Sequence, residues 1–146
     1  MKYTCSIEIN APLEKVVSLW ENENYFNKWQ DGFKSIELIS GIKNTTGAKS
    51  KIILEDKQRI ELIETIITYN LPQSKKALYE HIHMSNTQNT HFKDLGNNKT
   101  LYISEVEYTK FNGFIIKLFA KLFSSKFKAQ SEKWMKQFKV FVESGI

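Results

Sequence analysis

The sequence predicts an α+β domain in which a curved antiparallel sheet of six to seven strands, preceded by two short helices, is closed by one long C-terminal helix that encloses a cavity. Three observations carry this prediction. Residues 33–110 break into strand-like runs whose connections are too short for a parallel return, which needs a dozen residues or more. Residues 114–144 contain no Gly or Pro and repeat apolar side chains at helical spacing. The chain of 146 residues has the size of one domain able to bury about two thirds of its unfolded surface, so a single domain over residues 1–146 is expected.

Taken in order, residues 3–10 alternate, with Tyr3, Cys5, Ile7 and Ile9 on one side and Thr4, Ser6 and Glu8 on the other. That is the period of a half-buried strand. Asn10-Ala11-Pro12 ends it: Asn is a good helix N-cap, and Pro at the first helical position sacrifices no needed donor. A helix over Leu13–Glu21 follows, its stripe formed by Leu13, Val16, Val17 and Trp20. A second short helix around Tyr25–Gln30 buries Phe26 and Trp29 before Asp31-Gly32 turns the chain. Strands are expected at Phe33–Ser40, Ala48–Glu55, Arg59–Asn70, Lys76–Met84, Thr87–Leu95 and Thr100–Lys110.

From Gly113 to about Ser144 the pattern is that of one helix roughly 45 Å long at 1.5 Å per residue. At 100° per residue, Ile116, Phe119, Ala120, Phe123, Phe127, Gln130, Trp134, Phe138 and Phe141 form an inward stripe about 100° wide. Ile115, Leu118 and Leu122 add a second apolar face to its first half. Either a loop or the N-terminal helices cover that face, or it meets a membrane surface or a second copy of the chain.

Composition narrows the partners. The net charge of +5 belongs wholly to the last segment: residues 113–146 carry seven Lys against Glu132 and Glu143, while residues 1–112 carry fourteen basic and fourteen acidic groups. A solvated Lys face is the simplest account. The aromatic side chains of the helix lie opposite its main Lys row, which argues against nucleic acid as a partner. Cys5 is the only cysteine, so neither an intrachain disulfide nor a cysteine-based metal site forms. The segment from Met1 to Glu8 lacks the apolar run of a secretory signal, and no stretch reaches the roughly 18 apolar residues of a membrane span; a cytoplasmic protein is expected. The six Gly are isolated, and no nucleotide-binding loop or nucleophile motif is present.

The order of these elements and several short segments together resemble a known superfamily. The segments are Ile9-Asn10-Ala11-Pro12-Leu13-Glu14-Lys15-Val16, then Trp29 before the second strand and Gly47 opening the third. Glu-Thr-Ile-Ile-Thr-Tyr-Asn-Leu-Pro over 64–72 and Trp-Met-Lys-Gln-Phe-Lys-Val-Phe-Val-Glu over 134–143 complete the set. With them the chain resembles, over nearly its whole length, the START-like (SRPBCC) superfamily, which includes Bet v 1-like, lipid-transfer START and polyketide cyclase/dehydrase-like proteins. The resemblance implies the helix-grip fold, with a hydrophobic cavity between sheet and long helix. It does not imply a reaction, because the superfamily's enzymes place different polar residues in that cavity.

A straight helix cannot touch a strongly curved sheet along its whole length. The gap is either filled by large side chains or kept for an apolar guest. The side chains expected to line it are Trp29, Ile36, Leu38, Ile52, Leu62, Glu64 and Phe92 from the short helix and the sheet. The long helix adds Phe119, Phe123, Phe127 and Trp134. Glu64 and Glu105 are the candidate acid–base groups: pointing inward, either would be desolvated into usefulness near neutral pH, and pointing outward, neither would. His81 and His83 share a strand face, and His91 belongs to the next strand. Zinc would require all three on one side; tight-hairpin parity puts His91 on the other, and only an odd loop or a bulge would gather them. No metal and no cofactor is therefore expected.

Three functions follow. One is non-catalytic binding or transport of a small hydrophobic, lipid-like or aromatic molecule. Another is a cyclase- or dehydratase-type enzyme using Glu64 or Glu105. The third is a protein- or membrane-surface interaction module with a filled cavity, acting through Ile115, Leu118 and Leu122 by weak membrane or homodimer contact.

Overall fold

The computed structural model describes residues 1–122 and 124–145. Strand β1 (Lys2–Ile9) buries Cys5 and Ile9, as its alternation requires. Helix α1 (Leu13–Glu21) follows, then a single 3₁₀ turn (Glu23–Tyr25) and helix α2 (Phe26–Trp29). Asn10 does not cap α1. Pro12 holds the cap position without a side-chain hydrogen bond, and the Asn10 amide instead donates to Glu143 Oε2 at 2.8 Å.

Strands β2 (Phe33–Ser40), β3 (Lys49–Glu55), β4 (Arg59–Asn70), β5 (Ser74–Glu80), β6 (Met84–Gly96) and β7 (Lys99–Phe111) complete a seven-stranded sheet. Its order is β1-β7-β6-β5-β4-β3-β2, antiparallel throughout and not closed into a barrel. The turn between β5 and β6 falls earlier than the sequence pattern suggests. The His81 amide bonds the Met84 carbonyl at 2.9 Å, so His81 and His83 stand in the turn and not on a strand.

Register shifts between Phe33 and Ser35, Leu38 and Ser40, Ile66 and Thr68, Ser85 and Asn86, and Asp94 and Gly96 mark bulges. Each adds an unpaired residue and bends its strand, which is how an open sheet acquires its curvature. After β2 the chain reverses at Gly41, whose φ is +82°; a Cβ there would lie 2.9 Å from the Ala48 Cα. Only glycine fits both that backbone angle and that approach.

The C-terminal helical region comprises α3 (Phe114–Leu122) and α4 (Ser124–Glu143) on either side of Phe123, which lies outside the described residues. Only its second half has the expected inward stripe. Met135, Phe138, Phe141 and Val142 are buried against β1, α1 and α2, with Ile9, Val16, Trp29, Phe92 and Tyr102 completing the core. Gln130, assigned to the stripe by periodicity, is exposed, because the helix is rotated so that Met135 and Val142 face inward instead.

Polar contacts fix that rotation. Lys139 Nζ donates to the Glu8 carbonyl and to Glu143, each at 2.7 Å, while Lys133 and Gln137 hold Asp31 at 2.8 and 3.3 Å. Further up α4, the Tyr3 hydroxyl meets Ser131 Oγ at 2.8 Å, and the Tyr108 ring lies 5.0 Å from that of Phe127. The other half of the sheet carries a much smaller cluster, Ala48, Ile66 and Ala77. Aromatic bulk fills one end of the concave face, and small side chains line the other.

Candidate functional site

The small side chains leave a cavity on the concave face of β2–β5, roofed by α1, the 3₁₀ turn and α2. It is lined by Trp20, Phe26, Ile36, Leu38, Ala48, Ser50, Glu64, Ile66, Tyr69 and Lys75, with Glu21, Glu23, Lys43 and Asn44 at its rim. Its volume is about 30 Å³. That is room for one or two waters.

Glu64 lies on its floor, on β4 opposite Tyr79 of β5 and Ser50 of β3. Glu64 is 5% exposed, and its carboxyl accepts from the Tyr79 hydroxyl at 2.8 Å and from Lys75 Nζ at 3.3 Å. Lys75 also sits 5.5 Å from the centroid of the Trp20 ring, so its charge meets a carboxylate on one side and a π-face on the other. Burial, and then the neighbouring Glu64, push the Tyr79 phenol well above its ordinary range, so Tyr79 remains a proton donor to the carboxyl at all physiological pH.

The bulge between Ile66 and Thr68 decides who else joins this group. Strict alternation along β4 puts Glu64, Ile66 and Thr68 on one face. The extra residue turns the next inward position over to Tyr69, which pairs with Lys75 across the strands and lines the cavity. Its hydroxyl donates to Glu21 Oε2 of α1 at 2.7 Å. Burial first, then that carboxylate, raises its pKa. At the rim Lys43 reaches Glu23 at 3.1 Å. These two bridges tie the roof to β4 and to the β2–β3 loop.

Of the residues expected to line a cavity, Ile36, Leu38 and Glu64 do so here. Trp29 is a core residue, its ring 5.1 Å from Phe138 and 6.1 Å from Phe26, and Phe92 packs in the same core against Trp20 and Tyr102. Ile52 is buried, and Leu62 is half-buried on the same face of the sheet. Phe127 rests on Tyr108, and Trp134 packs at the edge of the core. Phe119 is 53% exposed. Phe123 lies outside the described residues.

Glu105 faces outward and holds His91 Nε2 at 2.5 Å, with His91 Nδ1 against the Gln73 carbonyl at 2.6 Å. His81 and His83 meet edge to face in the β5–β6 turn, far along the strand from His91. Among the described residues, no three His, Cys, Asp or Glu side chains are placed to hold a metal ion.

Lys75 and Tyr79, the partners that make Glu64 noteworthy, were not singled out by sequence. Their alternation on β5 with Ala77 was the available signal, since residues 75, 77 and 79 share one strand face. Trp20, on the apolar stripe of α1, serves as both core and cavity wall.

A second depression of about 320 Å³ lies between edge strand β1 and α4, with Thr4, Cys5, Ser6, Ile7, Lys128, Glu132, Met135 and Lys136 around it. It collects no comparable group of buried polar side chains.

No protein-family model matches the sequence, and no curated protein matches it. Solved structures do match in three dimensions. The Zhui aromatase/cyclase from Streptomyces sp. R1128 superposes with a TM-score of 0.80 at 5% identity, covering 98% of this chain and 93% of that one. Ara h 8.0201 gives 0.73 at 13% identity over 99% of each chain. A START superfamily protein from Mycobacterium smegmatis gives 0.66 at 15%, covering 93% of this chain and 97% of that one. Identities this low carry the architecture and nothing finer, and on that architecture the chain has the START-like, Bet v 1-like helix-grip fold.

Proposed function

We propose that the protein binds a small molecule with an apolar body and one hydrogen-bonding head group in the cavity above Glu64, without transforming it. The observation that carries this reading is the buried Glu64–Lys75–Tyr79 group. Sequestering an ion pair from water gains little stability over an apolar pair of the same volume, so folding alone does not account for charges there. The walls of Trp20, Phe26, Ile36 and Ile66 suit an apolar body, and Glu64, Lys75 and Ser50 suit a polar head. The fold is shared with an aromatase/cyclase and a START superfamily protein, and the superfamily the sequence resembles implies a hydrophobic cavity of this kind.

A guest larger than water requires the roof to move, and the roof is held by two surface bridges of modest strength. The test is native mass spectrometry of gently purified protein together with titration of a fluorescent fatty acid. Wild type is expected to carry an apolar adduct or bind the probe saturably, and Lys75→Met to bind at least about tenfold more weakly while staying folded, one lost charge-assisted bond from the ammonium to the probe's carboxylate being worth that much. Neither adduct nor saturable uptake in wild type overturns the proposal.

One observation favours a second reading, an enzyme of the cyclase or dehydratase type. Glu64 is a carboxyl with a phenol and an ammonium in hydrogen-bond reach, a set that accepts and returns protons. Turnover of a bound substrate that is lost in Glu64→Gln, with binding kept, would select this reading. Glu105, facing solvent on the other side of the sheet, has no part in it.

A further inference from the structure

The apolar face of α3 points away from the domain. At 100° per residue, Phe114, Ile115, Leu118 and Leu122 fall within an arc of about 100°, and Ala120 lies opposite its centre. The structure agrees: Ala120 is buried, while Phe114, Ile115 and Leu122 are 79%, 77% and 67% exposed. Ile82, also exposed, joins them from the β5–β6 turn, because Asn112, just before α3, donates its amide to the His83 carbonyl and its Nδ2 to the Ile82 carbonyl, both at 2.8 Å. Single exposed apolar side chains are ordinary; four on one helix face, with a fifth on the turn bonded to the start of that helix, mark a site of contact.

Charge identifies what covers it. Lys117 and Lys121 border the apolar arc along one side, and residues 113–131 contain four Lys and no acidic residue. In a two-fold dimer built on this face the lysines of both copies would be brought together with no carboxylate from α3 to meet them. An anionic bilayer meets both features: its acyl boundary takes the Phe, Ile and Leu side chains, and its head groups take the bordering ammonium groups. We propose that α3, with the β5–β6 turn, is a docking surface for anionic membranes. At nine residues it lies in the interface; no helix among the described residues is long and apolar enough to cross. The proposal does not depend on the cavity or its occupant.

Co-sedimentation with vesicles of phosphatidylcholine alone, and of phosphatidylcholine with phosphatidylglycerol, tests it. Binding of wild type to the anionic vesicles is expected to exceed that to neutral ones by at least about tenfold, and the excess to fall away at high salt. Lys117→Glu with Lys121→Glu should erase the anionic preference, and Ile115→Ser with Leu118→Ser should remove binding to both while leaving circular dichroism unchanged. Absence of wild-type binding, or equal binding to both vesicles at every salt concentration, overturns the proposal without reference to any variant. So does a dimer in analytical ultracentrifugation that is abolished by the two serine substitutions, since a second copy would then be the occupant.

Discussion

Phe138 shows at the residue scale how a periodic pattern becomes a fold. It is fully buried, with the rings of Trp29 and Tyr102 at 5.1 and 5.6 Å, so one side chain joins α4 to both α2 and the sheet. Phe138→Ala should cost about 3–5 kcal/mol, read as a lower urea midpoint with an unchanged slope, because the surrounding aromatics cannot collapse into the vacated space. Glu64 shows the opposite case. Its place in a strand with apolar and hydroxylated neighbours was visible, yet its inward direction depended on register, and its partners came from a neighbouring strand. Glu105 looked equivalent in sequence and lies on the other face.

At the element scale, the roof of the cavity is the informative part. α1 and α2 were legible from the stripe of Leu13, Val16, Val17 and Trp20 and from Phe26 and Trp29 after it, while the 3₁₀ turn between them was not. That the roof's carboxylates, Glu21 and Glu23, latch onto Tyr69 and Lys43 was not legible either, since those contacts span 48 and 20 positions of chain and rest on one bulge and one loop. Lys43→Ala removes one latch from an exposed site, so its effect on stability should stay within about 0.5 kcal/mol. Its effect on access should be larger: stopped-flow uptake of the fluorescent fatty acid is expected to speed up severalfold with little change in wild-type-like melting. An unchanged rate would mean that entry lies elsewhere. The helices α3 and α4 make a similar contrast, one continuous amphipathic pattern in sequence but two environments in the structure, the second pressed into the core and the first presented to solvent.

At the scale of the molecule, the two ends of the chain are tied to each other. Glu143, near the end of α4, accepts from the Asn10 amide and from Lys139, which also binds the Glu8 carbonyl. Partial burial works to raise its pKa, but the Asn10 amide and Lys139 outweigh that and hold it below the ordinary glutamate value of 4.5. A depressed carboxylate contributes stability that is complete above its unfolded pKa and is lost as the pH falls through its folded one. Asp31, held down chiefly by Lys133, acts in the same direction below 3.8. Urea unfolding should therefore show stability declining below about pH 4.5, and Glu143→Gln should flatten part of that decline, by no more than about 1 kcal/mol for a pair this exposed. An acid profile identical to wild type would remove Glu143 from the account.

The sequence alone determined the class of the fold, the order of its strands and the inward stripe of the second half of the long helix. These rest on local regularities, alternation at two residues and recurrence at 3.6, which the chain carries wherever it folds. Tertiary structure alone decided which carboxylate points inward, that Lys75, Tyr79 and Tyr69 gather round it, and that the cavity lies beneath the N-terminal helices while α3 turns its apolar face outward. Each of these depends on a bulge, a register or a helix rotation set by contacts between distant residues, and a shift of one position reverses the outcome.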